Sequence, residues 1–149
     1  MPGMSRSRQM SRIRSKNTRP EILVRKLLHQ AGFRFRIHYT KLPGKPDIVL
    51  PKYRAVIRVN GCFWHGHDCH IFHWPKTRRE FWERKINANV VRDKSYKLVY
   101  SKAGWKTLTI WECAVQGKTK LPLQSLMKNI ENWILYDTQD AAIEGFTEY

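Results

Sequence analysis

Cysteine and histidine residues concentrated in one short stretch constrain the fold of this chain more than any other feature. The segment Gly61–His70, with the sequence GCFWHGHDCH, contains two of the three cysteines and three of the six histidines. A closed structural Zn²⁺ site takes four thiolate or imidazole ligands in a tetrahedron. The candidate ligands are Cys62, His67, Cys69 and Cys113. They predict a zinc site that ties the loop after residue 60 to a segment about fifty residues later.

Other interpretations of these residues stay open. Lone cysteines are usually small buried hydrophobic residues, so Cys62 and Cys113 could belong to the core without a metal. His65 could take the place of His67 as a ligand, or could simply face solvent. If His67 is the ligand, His65 remains for proton transfer, because an imidazole held rigidly and oriented by a carboxylate is what a general base requires.

The chain is strongly basic over most of its length. It has 28 Lys and Arg against 12 Asp and Glu, and four of the acids lie in the last fourteen residues, which contain no base. Residues 1–135 therefore carry a formal charge of +20. Such an excess of charge, with aromatic residues interleaved, favours a nucleic-acid partner over a membrane. A ribosome-type protein bound to rRNA, or a cationic surface with no specific partner, is the alternative.

Length and patterning predict a single α/β domain. The 149 residues suffice for one core. No signal peptide and no run of eighteen apolar residues occurs, which predicts a cytosolic protein with reduced cysteines. The expected divisions are a mobile basic arm over residues 1–17, a domain over 18–135 and an acidic tail over 136–149.

The order of helix and strand patterns predicts a mixed central sheet with helices on both sides. A helix should begin at a Thr18 N-cap and end near Gly32. Strands are expected over 33–37, 47–50, 54–59 and 105–111, a long helix over 77–103 and a last helix over 122–135.

Three acids stand in unusual places for a chain so poor in acid. Asp47 opens an apolar strand after Pro46, where its carboxylate could hold Mg²⁺ against a phosphate or could simply end a turn. Asp93 interrupts the apolar stripe of the long helix, so it needs a cationic partner such as a histidine, Arg92 or a group on a neighbouring strand. Glu21 is the weakest candidate, because stabilisation by the helix dipole is enough to explain it.

The aromatic residues near the cysteine loop also have two interpretations. Phe63 and Trp64 follow Cys62 directly, and Trp82 lies near the start of the long helix. Such residues usually belong to the core. In a basic loop braced by a metal they could instead be a wedge inserted between base pairs.

These motifs together closely resemble those of the Vsr family, the very-short-patch-repair DNA mismatch endonucleases. They are LPGKPD ending at Asp47, GCFWHGHDC over 61–69, EFW over 80–82 with Ile86, Asn89-Val90 and Arg92-Asp93, Gly104-Trp105, and IWEC over 110–113. The resemblance runs from about residue 10 to residue 135. It implies a fold similar to type II restriction endonucleases, and Mg²⁺-dependent nicking of one strand beside the thymine of a T:G mismatch.

The resemblance also implies roles for individual residues. Asp47 matches the carboxylate that binds Mg²⁺, with the Val59 carbonyl as a second contact and Glu21 as an acid near the site. His65 matches the catalytic histidine and Asp93 its partner. The zinc ligands are matched by Cys62, His67, Cys69 and Cys113. The aromatics that enter the duplex are matched by Phe63, Trp64 and Trp82.

Asn60 departs from the family pattern, which commonly has a second histidine there. An amide can hydrogen-bond a phosphate but does not titrate near neutral pH, so the rate or the substrate could differ. We expect a monomeric nicking enzyme acting on mismatched double-stranded DNA, located with DNA in the bacterial cytoplasm, with other mismatch-repair proteins as candidate partners. The alternatives are a sequence-specific endonuclease that needs no mismatch, and a non-catalytic zinc-stabilised DNA-binding module.

Overall fold

The first helix begins where the sequence predicts it. A computed structural model describes residues 18–146, so the predicted basic arm (1–17) and the last three residues of the acidic tail lie outside the described residues. The Thr18 hydroxyl accepts a hydrogen bond from the Glu21 N–H at 3.4 Å, and Pro20 stands where a helix needs no N–H donor. These features start helix α1 at Arg19.

The described residues form a four-stranded mixed sheet. The elements are α1 (Arg19–Gln30), β1 (Ile48–Leu50), a 3-10 turn (Pro51–Tyr53), β2 (Ala55–Asn60), α2 (Arg79–Lys102), β3 (Lys106–Trp111), a short α3 (Glu112–Val115), α4 (Leu123–Tyr136) and β4 (Ala141–Ile143). The sheet order is β1-β2-β3-β4. The β1–β2 pair is antiparallel, whereas β2–β3 and β3–β4 are parallel, which confirms the predicted mixed sheet.

Alternating side chains of the strands pack on two different helical layers. Ile57 belongs to a core that also contains Leu28 of α1 and Ile130 of α4. Val56, its neighbour along β2, packs in a separate core with Tyr100 of α2. Because successive strand residues point to opposite faces, α1 and α4 cover one face of the sheet and α2 covers the other. The predicted helices on both sides are confirmed.

The predicted strand over residues 33–37 is wrong. This segment makes only one isolated antiparallel bridge, between Arg36 and Val49. Phe33 and Phe35 do pack against the core, which accounts for the alternating pattern in the sequence. The extended run stops at His38, which has a left-handed φ of 56°, so β1 gains no continuous partner on this side.

The C-terminal acidic segment contributes the edge strand β4, which the sequence pattern did not predict. Ile143 pairs with Ile110 of β3. The strand is preceded by two anchors: the Thr107 N–H donates to Asp140 Oδ1 at 2.8 Å, and Trp133 Nε1–H donates to the Gln139 carbonyl at 2.9 Å. The described part of the tail therefore packs on the domain. Among residues 18–146, every helix is too short or too polar to cross a bilayer.

Candidate active site and metal centre

Four side chains selected from the sequence as metal ligands lie together. The ligand atoms of Cys62, His67, Cys69 and Cys113 are all within 4.8 Å of one another. His67 Nδ1 is 3.5 Å from Cys62 Sγ and 3.7 Å from Cys113 Sγ. Ligands of a tetrahedral Zn²⁺ with bonds of about 2.1 and 2.3 Å stand about 3.6 Å apart. The cluster could therefore bind a metal ion, and His65 is not part of it.

The sheet brings the two buried cysteines together. Asn60 and Trp111 pair at the ends of the parallel strands β2 and β3, and each cysteine follows two residues later. The Cys62 N–H donates to Glu112 Oε1 at 3.1 Å, which joins the two strand ends. Burial raises the pKa of the thiols of Cys62 and Cys113. Metal binding would have to release these protons, because thiolate is the form that binds.

The C-terminal segment covers the outer side of the same cluster. Glu144 Oε2 is 2.8 Å from His67 Nε2, the ring nitrogen that faces away from the sulfur atoms. The Gly145 N–H donates to Cys113 Sγ at 3.3 Å. On the flat side of the imidazole, the Trp111 ring stacks with its centroid 4.2 Å away. A carboxylate on the second nitrogen of a histidine ligand fixes the tautomer and orientation of the ring.

His65 is held in a tight loop and bonded to a carboxylate. Its Nδ1 is 2.5 Å from Asp93 Oδ2. The loop continues through Gly66, whose φ is 62° and where a Cβ would lie 2.9 Å from Ile86 of α2, so only glycine fits. Asn89, one turn before Asp93, donates from Nδ2 to the Trp64 carbonyl at 2.9 Å. With Nδ1 on Asp93, Nε2 is the ring nitrogen left to exchange a proton with a substrate.

Asp93 also lies near an arginine. Its side chain is 13% exposed, and Arg58 Nη2 lies 3.7 Å from Oδ1. The sequence offered a histidine or a group on a neighbouring strand as the partner of this acid. Both are present, since Arg58 belongs to β2.

Asp47 is half-buried and lies beside the buried carboxylate of Glu21 at the edge of the sheet. Its Oδ2 accepts the Val59 N–H at 2.9 Å. Burial raises the pKa of Asp47 to about 7; the Val59 hydrogen bond opposes this shift and the negative charge of Glu21 adds to it. Glu21 is only 2% exposed and is paired with Arg25. Two neighbouring carboxylates withdrawn from water are unfavourable when both are ionised, and a divalent cation between them would stabilise the ionised forms.

Lys45 connects the two halves of the site. It lines a cavity of about 150 Å³ together with Glu21 and Asp47, and also a neighbouring cavity of about 320 Å³ together with His65 and Asp93. The backbone is left-handed here, with a φ of 46° at Lys45. The cavity with the carboxylate pair Glu21–Asp47 and the cavity with the histidine pair His65–Asp93 therefore lie on either side of one lysine.

The three predicted intercalating aromatics form one cluster. Phe63 lies 5.4 Å from Trp64 and 5.5 Å from Trp82 between ring centroids, and the two indoles are 5.7 Å apart. All three are partly exposed, unlike core residues. Lys85 Nζ lies 5.7 Å from the centre of the Trp64 ring. A partly exposed aromatic surface next to a cation suits base stacking beside a phosphate backbone.

Comparison with known proteins connects these features to one family. The sequence model of the family described as DNA mismatch endonuclease Vsr matches residues 3–71. The Type II nicking enzyme V.XorIIP of Xanthomonas oryzae is 51% identical over 121 residues, which cover 81% of this chain and 88% of that protein. The DNA mismatch endonuclease Vsr of Escherichia coli is 41% identical over 140 residues, 94% of this chain and 90% of that protein. This chain belongs to the Vsr family. A third relative, the Type II nicking enzyme V.NmeAIP of Neisseria meningitidis, is 46% identical over 113 residues, 76% of this chain and 81% of that protein.

Membership of the Vsr family confirms the resemblance, whereas the roles of the single residues stay predictions. Asn60, the departure from the family pattern, is buried at 4% exposure at the end of β2. Two residues of the site were not selected from the sequence. Arg58 is an ordinary strand residue in the pattern, and Glu144 is one acid among several in the tail. Only the fold brings them to His65 and His67.

Proposed function

We propose that this protein is a Mg²⁺-dependent endonuclease that nicks one strand of duplex DNA beside the thymine of a T:G mismatch, in very-short-patch repair. The observation that supports it most is the pair of adjoining cavities, one holding Asp47 with Glu21 and the other His65 with Asp93. A non-catalytic DNA-binding module would have no use for this arrangement. The net charge of +16 suits a DNA partner in the bacterial cytoplasm.

The residues around Asp47 fit a magnesium ion. Mg²⁺ is usually bound through one or two carboxylates, with water and substrate phosphate completing the shell. Asp47 would be the main ligand, with Glu21 beside it. In an extended strand the N–H and C=O of one residue point the same way, so the Val59 carbonyl would point toward Asp47, to which its N–H donates. When bound, Mg²⁺ would neutralise charge on the phosphate that is attacked.

The protein side chains would handle the proton of the attacking water. His65 Nε2 would accept it, because Asp93 on Nδ1 fixes the tautomer and stabilises the imidazolium that forms. Lys45, between the two cavities, would place positive charge beside the phosphate. Asn60 could offer a hydrogen bond to the phosphate but no proton transfer. All of these groups come from one chain, so the proposed enzyme acts as a monomer.

The proposal of Mg²⁺-dependent nicking is tested with supercoiled plasmid. Incubation with Mg²⁺ should convert the plasmid to open circles at sites that carry a T:G mismatch, whereas EDTA should prevent this. Linear product as the first species would show cleavage of both strands and would contradict the proposed nicking.

Discrimination of the mismatch would depend on the aromatic cluster. Separating a base step costs a few kcal/mol, and a mispaired step opens more easily. A wedge of Phe63, Trp64 and Trp82 would therefore enter a T:G step more readily than a T:A step.

Trp64→Ala should reduce the preference for T:G over T:A by about tenfold or more, because stacking on an aromatic residue contributes roughly 1–3 kcal/mol per base. The measurement compares nicking rates of the two duplexes for both proteins. Trp74→Ala is the matched control, since Trp74 packs on Phe72 and Arg79 outside the cluster. An unchanged preference in Trp64→Ala would mean that the wedge does not discriminate.

We also propose that the four-ligand cluster holds a structural Zn²⁺. A Cys₃His set in which all four ligands come from the protein leaves no open position for a substrate. In the described structure Cys62 and Cys113 follow the ends of β2 and β3, so the ion would fix the loop that carries His65. Its contribution to activity would therefore come through positioning.

Glu144→Ala should speed the loss of this Zn²⁺, because the carboxylate on His67 Nε2 would no longer hold the ring. Such outer partners typically change metal affinity by about 10–100-fold; since the Glu144 side chain is 62% exposed, we expect about tenfold. The release rate into a coloured chelator measures it. Glu83→Ala, which removes an equal charge from an exposed ion pair with Arg79, is the control. Equal release rates in wild type and Glu144→Ala would contradict the prediction.

A second candidate function is supported by the names of two relatives. V.XorIIP and V.NmeAIP are both described as Type II nicking enzymes. Neither name mentions a mismatch, so a sequence-specific nicking enzyme that does not require a mismatch is the nearest alternative. Equal nicking of matched and mismatched duplexes within one sequence would support it.

A further inference from the structure

Arg58 is a buried cation in the wall of the cavity that contains His65. Its side chain is only 12% exposed, and it lines this cavity together with Lys45, Arg92 and His65. Arginine is rarely this buried unless its charge is paired. The roles proposed for His65 with Asp93 and for Asp47 with Glu21 leave this guanidinium without a function.

The protein satisfies Arg58 only in part. Nη2 lies 3.7 Å from Asp93 Oδ1, which is long for a hydrogen bond. Nε and Nη1 are buried and have no hydrogen-bond partner of ordinary geometry among residues 18–146. The ring of Tyr96 lies 5.7 Å away. The Tyr100 hydroxyl donates to the Pro43 carbonyl and also interacts with Arg58, through its charge and through a weak side-chain hydrogen bond. A buried donor without a well-placed acceptor is unfavourable, so a ligand that supplies one would be bound there.

The position of Arg58 places it between the two halves of the site. One residue beyond the Ile48–Ile57 pair of the antiparallel ladder, Arg58 comes opposite Asp47. Its charge lowers the pKa of Asp47 against the larger effect of burial. It therefore stands next to the proposed Mg²⁺ carboxylate on one side and next to Asp93 on the other. A phosphate between Asp47 and His65 would meet this guanidinium.

Resting on the proposed function, we infer that Arg58 binds a non-bridging oxygen of the scissile phosphodiester. Guanidinium is planar and offers several donors in a fixed geometry that matches phosphate. Arg58 points to the same face of β2 as Asn60, two residues later. The fixed charge of Arg58 thus stands where Asn60 offers only an amide. Arg92, which is exposed, would contact a flanking phosphate at the rim of the cavity.

The test replaces Arg58 by methionine and by lysine, and substitutes sulfur for each non-bridging oxygen of the scissile phosphate. Wild type should nick one sulfur diastereomer at least about tenfold more slowly, and Mn²⁺ should not relieve the defect, because the contact is to Arg58. R58M should nick the normal substrate about 10²-fold more slowly, as when one charge-stabilising donor is removed. For R58M, the nicking rates of the normal and the sulfur-substituted substrate should differ by less than about twofold, because the contact that distinguishes oxygen from sulfur is lost. The nicking rate of R58K should lie between the rates of wild type and R58M.

Arg92→Met is the matched control, because Arg92 lines the same cavity but is exposed and bonded to Asn89. It should weaken salt-dependent DNA binding and keep the wild-type sulfur effect. If Arg58 were only a counter-ion for Asp47 and Asp93, R58M would slow both substrates equally and the sulfur effect would persist. That result, or full activity of R58M, would overturn the inference.

A second measurement separates this inference from the proposed function. Without divalent metal, inorganic phosphate at ten times its Kd should raise the Tm of wild type by about 3 °C relative to chloride at equal ionic strength. The rise should persist in Arg92→Met and vanish in R58M. If wild type fails to nick DNA, the proposed function falls, and the phosphate measurement still decides on Arg58. Equal phosphate stabilisation in wild type and R58M overturns the inference even in an active enzyme.

Discussion

Asp47→Asn should reduce Mg²⁺-dependent nicking by at least about 10³-fold, because loss of the metal-binding charge removes several kcal/mol of transition-state stabilisation. Affinity for duplex DNA should change by less than about threefold, since it depends mainly on Lys and Arg contacts to phosphates. Single-turnover nicking and a binding titration on the same duplex give the two numbers. Asp68→Asn, which neutralises an exposed acid of the cysteine loop, should keep both.

The stability of the Asp47→Asn variant shows whether the residue is functional or structural. Burial raises the pKa of Asp47 from an ordinary value of 3.8 to about 7. The folded protein thus favours the protonated carboxyl. Without Mg²⁺, wild type therefore loses stability as the pH rises from about 3.8 to about 7. Asparagine cannot ionise and can still accept the Val59 N–H, so the variant should have an equal or higher Tm at pH 8. A variant that is unstable at pH 8, or that nicks at the wild-type rate, would contradict the role of Asp47.

Cys113→Ala should abolish tight zinc binding and lower the Tm by about 10 °C or more. Structural zinc can contribute about 10–16 kcal/mol in small domains, and loss of even a few kcal/mol from a chain of this size shifts Tm by about this amount. The ion would join the segments that follow β2 and β3, so its loss should also loosen the loop that carries His65. Metal analysis and thermal unfolding of the purified protein measure the two effects.

Removing zinc from wild type with a strong chelator should reproduce the Tm of Cys113→Ala. Asp68→Asn again serves as the control, because it changes the same loop without touching a ligand. A folded and active wild-type protein that contains no zinc would contradict the assignment of the cluster.

Local chemistry in the sequence predicts the elements whose signals lie within a few residues. The Thr18 N-cap, the long helix and strands β1, β2 and β3 were confirmed to within about two residues. The alternating pattern of residues 33–37 reflects the packing of Phe33 and Phe35 on the core. Alternation does not reveal that the adjacent strand β1 has only three residues and meets this segment at a single bridge. Edge strand β4 has only three residues, too few to carry a pattern of its own.

Prediction of the site shows the same limit. The four cysteine and histidine residues that cluster in the structure were selected because metal chemistry restricts both the type and the number of candidate ligands. The pairing of His65 with Asp93 was expected from the family resemblance, and the structure places them together. Arg58 and Glu144 reach the site through strand register and a C-terminal strand. Neither of these can be deduced from one sequence.

Mismatch-directed nicking is tested with paired oligonucleotide duplexes that differ only in T:G or T:A at one position, with Mg²⁺ and with EDTA, across several flanking sequences. We expect a nick in one strand beside the thymine of the T:G duplex, in Mg²⁺ only, with the T:A duplex cut much more slowly. Equal nicking of both duplexes in every flanking sequence, or undiminished nicking in EDTA, would contradict it.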